Sequence, residues 1–380
     1  MRLCICFALL LGGCQKIQPS TTPPINPQQR AALGGDSFQI PQAAQDTDSE
    51  ADTVHVVFTA APHSFLVGDQ EVSGFAYNGQ VPGPTIYAKR GDRITVELIN
   101  ELETATTLHW HGLHVPIEMD GVVWQRDPIN PGESFTYTFV LDQVGTYWYH
   151  PHFDTERMMD LGLYGAIVIE EPSDPPVTED LILVLDSWAE NESKAEVMHH
   201  GSIDAKARYW TINGLDTPIL QASGGYVIRA RILNVSNGGF LHLKWPQMEI
   251  IATDQGLLPA LETPESVVLG PGDRIEAAWR IGEAGFDIVT LPYSVLGGEA
   301  LGETQTLMKV EVNNPQPQTA LPAFSFSGLE PTPDPGFADV TYVLHGNAVL
   351  GNWLINGETF PEVTIHQVAY DQDAIIEVRN

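Results

Sequence analysis

Cysteine is missing from residues 15–380 of this 380-residue chain; the three present, Cys4, Cys6 and Cys14, all fall within the first fourteen positions. Everything long enough to fold must therefore do without a disulfide, a thiolate catalyst or a cysteine-bound metal. Basic residues are scarce too. With 18 Lys and Arg against 49 Asp and Glu, the formal charge is −31, which argues against a nucleic-acid backbone as partner. The one apolar run of any length, 3–11, is too short to cross a bilayer as a helix. What the chain has instead is 34 glycines, 28 prolines and 43% apolar residues, a composition of folded, turn-rich β domains rather than disorder or helical bundles. Its length predicts two or three domains.

Arg2, the apolar stretch 3–11 and the small-residue site Leu11-Gly12-Gly13-Cys14 read as an export signal over residues 1–14. The last four residues resemble a bacterial lipobox. Cleavage there would make Cys14 an acylated mature N-terminus, and Gln15 behind it favours the outer membrane. A plain secretory signal is the alternative. The protein is thus expected to be exported, to the periplasmic side of the outer membrane or the cell surface, touching the membrane only through a lipid on Cys14. Residues 15–51 are polar, contain Pro19, Pro23, Pro24 and Pro27, and show no apolar periodicity. They are expected to form a flexible tether outside the fold.

A repeat organises the remainder. Tyr77-Asn78-Gly79 leads to a strand ending at Asn100, Ile212-Asn213-Gly214 to one ending at Asn234, and Ile355-Asn356-Gly357 to one ending at Asn380. The intervals from Asn-Gly to the closing Asn are 22, 21 and 24 residues. Three copies at one spacing predict three related domains. Each copy is a turn dipeptide, an irregular stretch and an alternating strand, so the expected class is all-β, in antiparallel sandwiches. The boundaries follow from composition: domain one over 52–172, domain two over 173–313, a Pro-rich linker over 314–338, and a partial domain three over 339–380.

Domain one contains His109-Trp110-His111-Gly112 and, later, His150-Pro151-His152. On a strand, alternate side chains share a face, so each His-x-His pair points one way while Trp110 points the other. Two neighbouring strand ends would then offer four convergent imidazoles. Chance placement of twelve histidines already gives about 0.4 such pairs, so the aromatic flanks and the repeat carry much of the weight. Four buried imidazoles without a cation would each need separate hydrogen-bond partners. Imidazole-only sites suit copper or zinc.

These two motifs resemble the first two histidine pairs of the multicopper oxidases, laccase-like enzymes built from three cupredoxin domains. The resemblance covers about 53–380 and implies tandem cupredoxin-like Greek-key sandwiches, the third incomplete. It implies that His109 is a ligand of a type 2 copper, and that His111, His150 and His152 are ligands of a type 3 copper pair. Asp120, eleven positions after His109, matches an acidic residue that relays protons to the trinuclear cluster in bacterial members; read alone, an Asp before Gly121 is an ordinary turn residue. The activity implied is one-electron oxidation of a reducing substrate, a phenol or a metal ion, coupled to reduction of dioxygen to water. The family's third domain also carries a His-Pro-x-His-x-His motif and a His-Cys-His motif. Neither is in this sequence, so the chain is expected to be a C-terminally truncated member that lacks the type 1 copper site and half of the cluster ligands, and to be inactive as it stands.

The remaining histidines carry less. His114 matches no ligand of the family and is expected to be second-sphere or exposed, and His242 is single where domain one has its motif. His199 and His200 beside Met198 read as a loop, and His55, His63, His345 and His366 as structural or exposed. Two rival readings stay open at this stage. One is a zinc hydrolase, for which three histidines and a water would suffice. The other is a non-catalytic, copper-binding cupredoxin-type lipoprotein or scaffold.

Overall fold

In the computed structural model, residues 38–67, 70–123, 125–171, 174–189, 208–254, 256–293, 303–324, 340–347, 352–356, 358 and 376–379 are described. The first sandwich is built from β1 (Thr53–Val67), β2 (Gln70–Tyr77), β3 (Gly83–Lys89), β4 (Arg93–Asn100), β5 (His109–His111), β6 (Ser134–Val140), β7 (Gly145–His150) and β8 (Gly165–Glu170). Its two sheets have the orders β2-β1-β4-β6 and β3-β8-β7-β5, so strands distant in sequence lie side by side, as Greek-key crossovers require. Strict alternation in β4 puts Ile94, Val96 and Leu98 into the core, while Arg93, Thr95 and Glu97 turn outward.

The second sandwich uses β9 (Glu179–Ala189), β10 (Arg208–Ile212), β11 (Ile219–Ser223), β12 (Val227–Asn234), β13 (Leu241–Lys244), β14 (Ile250–Thr253), β15 (Gly256–Glu262), β16 (Val267–Leu269), β17 (Arg274–Arg280), β18 (Phe286–Thr290) and β19 (Gln305–Asn314). They form sheets of six and five strands. Of the third unit, β20 (Val340–Asn347), β21 (Asn352–Ile355) and β22 (Ile376–Arg379) are described, in the order β21-β20-β22. One short α-helix, α1 (Thr155–Asp160), occurs among the described residues, and no helix there is long and apolar enough to cross a membrane. The all-β class expected from the sequence is the class observed.

The repeat has a physical basis in its asparagines. Asn78, Asn213 and Asn356 adopt φ of 51°, 54° and 54°, the left-handed conformation that a tight turn needs and that Asn tolerates. Each then uses its amide to hold the first strand of its own domain. Asn78 accepts from Thr59 N–H and donates to Val57 O; Asn213 does the same with Val184 and Ile182; Asn356 with Val343 and Thr341. In all three units that first strand pairs in parallel with the strand that closes the repeat: β1 with β4, β9 with β12, β20 with β22. Asn213 is buried and also donates to Gln39 O, whereas Asn356 is exposed. Asn213→Ala should therefore lower the unfolding free energy by about 2–3 kcal/mol, and Asn356→Ala by clearly less. Urea denaturation followed by tryptophan fluorescence would show it; equal shifts would count against this account of the turns.

Two segments expected to lie free of the fold are packed against it. Within the predicted tether, Phe38 is buried in the core of the second sandwich, and Ala43 forms a parallel bridge to Thr85 of the first, with Ala44 N–H on Thr85 O and Thr85 N–H on Gln42 O. A single aromatic anchor followed by a short extended run is enough to override the polar composition around it. Residues 15–37 and the signal lie outside the described residues. The Pro-rich linker likewise begins as a strap on domain two: Gln318 donates to Gln247 and to Arg280 O, and Phe324 is buried beside Ile251, Ala252 and Ala278. Its residues 325–338 are outside the described set.

The two sandwiches share a core. Trp148, Met159, Tyr164, Ala166 and Val168 of the first meet Ile182, Val184, Leu233 and Val235 of the second in one apolar cluster. Beside it runs a buried ionic network. Arg231 is held by both oxygens of Asp180 and by Glu276, Arg229 bridges Glu276 and Asp174, and the hydroxyl of Thr146, on β7 of the first sandwich, donates to Glu276. The edge that carries the histidines is thus clamped to the second domain.

Candidate metal centre

The four histidines of the two motifs come from one sheet edge. β5 pairs antiparallel with the end of β7, setting His109 opposite His150 and His111 opposite Trp148. Trp110 drives this placement: fully buried, it packs edge-on against Tyr137 and Phe139 and donates from Nε1 to Met119 O, so its neighbours leave the other face of the strand. His150 is the last residue of β7, and Pro151 ends the ladder there. His152 follows outside the strand, its N–H on Thr107 Oγ1.

The rings converge. Centroids of His109 lie 5.1 Å from His150, 4.9 Å from His152 and 6.0 Å from His111. One nitrogen each from His109, His111 and His150 falls within a 4.8 Å set, and His111 Nδ1 is 3.4 Å from His150 Nε2. His152 stands against His109 but outside that set of three.

Neighbouring oxygens fix which nitrogens are free. His109 Nδ1 is 3.0 Å from both the carbonyl and the carboxylate of Asp120, and His150 Nδ1 is 2.8 Å from Pro151 O. A carbonyl can only accept, so Nδ1 of each ring carries the proton and Nε2 keeps its lone pair for a cation. Asp120 reaches His109 because the chain behind it passes very close: a Cβ on Gly121, at φ +73°, would lie 2.1 Å from Leu108 O. The Asp-Gly pair is a turn, and it is also the contact that orients His109.

Burial disfavours the charged form of His111, His150 and His152. It pushes His111 down to about 4, helped by the positive charge of Arg274 and by His109 and His152. Burial also holds His150 well below its ordinary value and lowers His152. Neutral lone pairs aimed at one point are what a copper or zinc ion requires, so the residues present fit the copper that the resemblance implies.

Two features of the centre were not singled out in the sequence. The indole of Trp148 stacks on both His111 and His150, at 4.7 and 4.3 Å between centroids, while its Nε1 is buried with no hydrogen-bond partner among the described residues. Second, the Gly272–Arg274 turn of the second sandwich lies against His111. Alternation across from His111 pointed to Trp148; nothing local pointed to the turn. His114 N–H bonds Gln143, away from the centre, and His242 meets Ser266 Oγ at 2.8 Å as a single histidine. His199, His200 and His366 lie outside the described residues.

Residues 60–174 match the family model described as multicopper oxidase. "Multicopper oxidase MmcO" of Mycobacterium tuberculosis is 33% identical over 195 residues, 47% of this chain and 38% of that protein. L-ascorbate oxidase of Cucumis sativus is 42% identical over 133 residues, 32% of this chain and 22% of that protein. The match thus spans less than half the length of these curated relatives. Among solved structures, a multicopper oxidase from Campylobacter jejuni, titled a metallo-oxidase, superposes with a TM-score of 0.73 at 22% identity, over 90% of this chain and 78% of that one, which establishes a shared fold.

Proposed function

From the match of residues 60–174 to the multicopper oxidase family model, we propose that the chain serves an oxidase which couples one-electron oxidation of a reducing substrate, a phenol or a metal ion, to reduction of dioxygen to water. The observation that carries this is the set of three imidazole nitrogens within 4.8 Å, two of them freed for a cation by Nδ1–H bonds to carbonyl oxygens. In this reading His109 holds a type 2 copper, and His111, His150 and His152 hold the type 3 pair. Copper bound there would supply one-electron redox chemistry and open positions for dioxygen. No cysteine among residues 15–380 is there for a type 1 copper, so the assignment to this chain is the cluster half-site alone.

The chain's own groups then have distinct tasks. The Asp120 carbonyl and carboxylate fix the orientation of His109, and the carboxylate, partly open to water, can pass a proton toward the centre. Pro151 O fixes His150, and Trp148 covers the faces of His111 and His150 against water. Leu11-Gly12-Gly13-Cys14 is read as an export and lipidation signal that holds the protein outside the cytoplasm through an acyl group on Cys14.

Titration of the metal-free chain with Cu(II), followed by electron paramagnetic resonance, tests the site. Tight copper with nitrogen hyperfine structure is expected, and its loss in the double variant His109→Ala/His150→Ala. Undiminished copper binding in that variant would end this reading, and tight zinc binding with hydrolytic activity would favour a hydrolase.

A further inference from the structure

Among the described residues of the second sandwich His242 is a single histidine, held by Ser266 Oγ. The interface nevertheless brings second-domain backbone onto a candidate copper ligand. Gly272, at φ +89°, lies so close to His111 that a Cβ there would stand 3.0 Å from its Cε1 and 3.1 Å from its Nε2. His111 is therefore held on one face by Trp148 and at its Nε2 edge by Gly272, with Nδ1 left facing His150.

The turn that does this is itself fixed by one buried side chain. Arg274 donates from Nε to Thr146 O of β7, from Nη1 to Gly272 O, and from Nη2 to Asp254 O, with Nη1 2.8 Å from the Asp254 carboxylate. It thereby ties the Gly272 turn to the strand that ends in His150. The first domain makes room in return: a Cβ on Gly112, the residue after His111, would lie 2.6 Å from Arg274 Nη2. Each domain thus places a glycine where the other domain inserts a functional side chain, His111 over Gly272 and Arg274 over Gly112.

We infer that the Gly272–Arg274 turn is a positioning element of the metal centre, so that docking of the second domain sets the orientation of His111. Its bearing on copper rests on the reading of His111 as a ligand. A suitable control exists in the same interface. Gly256, at φ +102°, would place a Cβ 3.0 Å from Val144 O, with a comparable backbone cost but no contact with a histidine.

The experiment uses the full chain as wild type, Gly272→Ala, Arg274→Lys and Gly256→Ala. Carbethoxylation of the metal-free proteins by diethyl pyrocarbonate, mapped by tandem mass spectrometry, reads the His111 edge directly. Competitive titration with Cu(II) reads affinity. Gly272→Ala and Arg274→Lys should raise His111 reactivity several-fold, leave His150 as in wild type, and weaken copper by about 10–100-fold. Lysine keeps the charge but cannot reach three acceptors at once, and it serves as the milder variant should alanine at 272 disturb folding. Gly256→Ala should lower the thermal midpoint as much as Gly272→Ala while leaving His111 and copper unchanged. Unaltered His111 reactivity in Gly272→Ala and Arg274→Lys, or an equal rise in Gly256→Ala, overturns the inference. A wild type that fails to bind copper, with the reactivities as expected, removes the copper reading and leaves the positioning of His111 standing.

Discussion

Replacing Arg231 by methionine is expected to destabilise the chain by about 3–5 kcal/mol, the cost of stranding buried charges whose partner has gone. Arg231 is 1% exposed and makes four hydrogen bonds at 2.7–3.0 Å: two to Asp180, one to Glu276 and one to Thr146. Without it, Asp180 loses its bidentate partner and Glu276 keeps Arg229 and the Thr146 hydroxyl. The double variant Arg231→Met/Asp180→Leu should recover much of the loss, because it removes the stranded carboxylate as well. Urea denaturation of the single and double variants checks this; a single variant within 1 kcal/mol of wild type would show that the network is not held as described.

The same network predicts an acid limit. Burial pushes the Glu276 carboxyl up, but the charges of Arg229 and Arg231 and the Thr146 hydroxyl outweigh it and hold it down at about 2. A carboxyl depressed in the folded state contributes its stabilisation above its unfolded value, about 4.5, and loses it as pH falls toward 2. Since the network joins the two domains, acid should loosen their docking, and Glu276→Gln should flatten the fall in stability between pH 5 and 2.

Trp110→Ala is the second change expected to have a large effect, about 3–5 kcal/mol in stability, for the cavity left in the first core. Its consequence for the metal centre is separable. Trp110→Phe keeps most of the apolar volume but loses the Nε1–H bond to Met119 O, which fixes the turn presenting Asp120. It should cost about 1–2 kcal/mol and release the His109 Nδ1 contact, visible as a change of ring tautomer in nitrogen-15 spectra. An unchanged tautomer would mean that the Asp120 turn holds without the indole.

What could be read from the sequence were features decided within a few residues of themselves. The Asn-Gly turns need a left-handed residue, strand alternation puts Trp110 on one side and the histidines on the other, and a proline after His150 stops a ladder. The buried aromatic anchor Phe38 was hidden by averaging, because one apolar residue in a polar stretch leaves the composition of a tether. Arg274 was harder, since its partners Thr146 and Gly112 belong to another domain and exist as partners only after docking. Yet a trace was present. Pro131-Gly132-Glu133-Ser134 and Pro271-Gly272-Asp273-Arg274 are the same turn in two domains, each glycine donating at 2.8 Å to the carbonyl of the closing asparagine, Asn100 or Asn234. Where the first copy turns an exposed serine to solvent, the second carries a buried arginine, and that departure within a repeat marks the interface.

The seat of Phe38 bears on how the molecule takes a pull. The chain enters through the second sandwich before it crosses to Thr85 and starts β1 of the first, so tension applied at the N-terminus reaches the aromatic plug before it reaches any strand. Force would first have to extract one side chain from a core and then peel a short bridge lying alongside Thr85. The bridge lies on β3, in the same sheet as the histidine strands, so it is the plug at Phe38 that takes the load before that sheet does, a strain relief ahead of the metal centre.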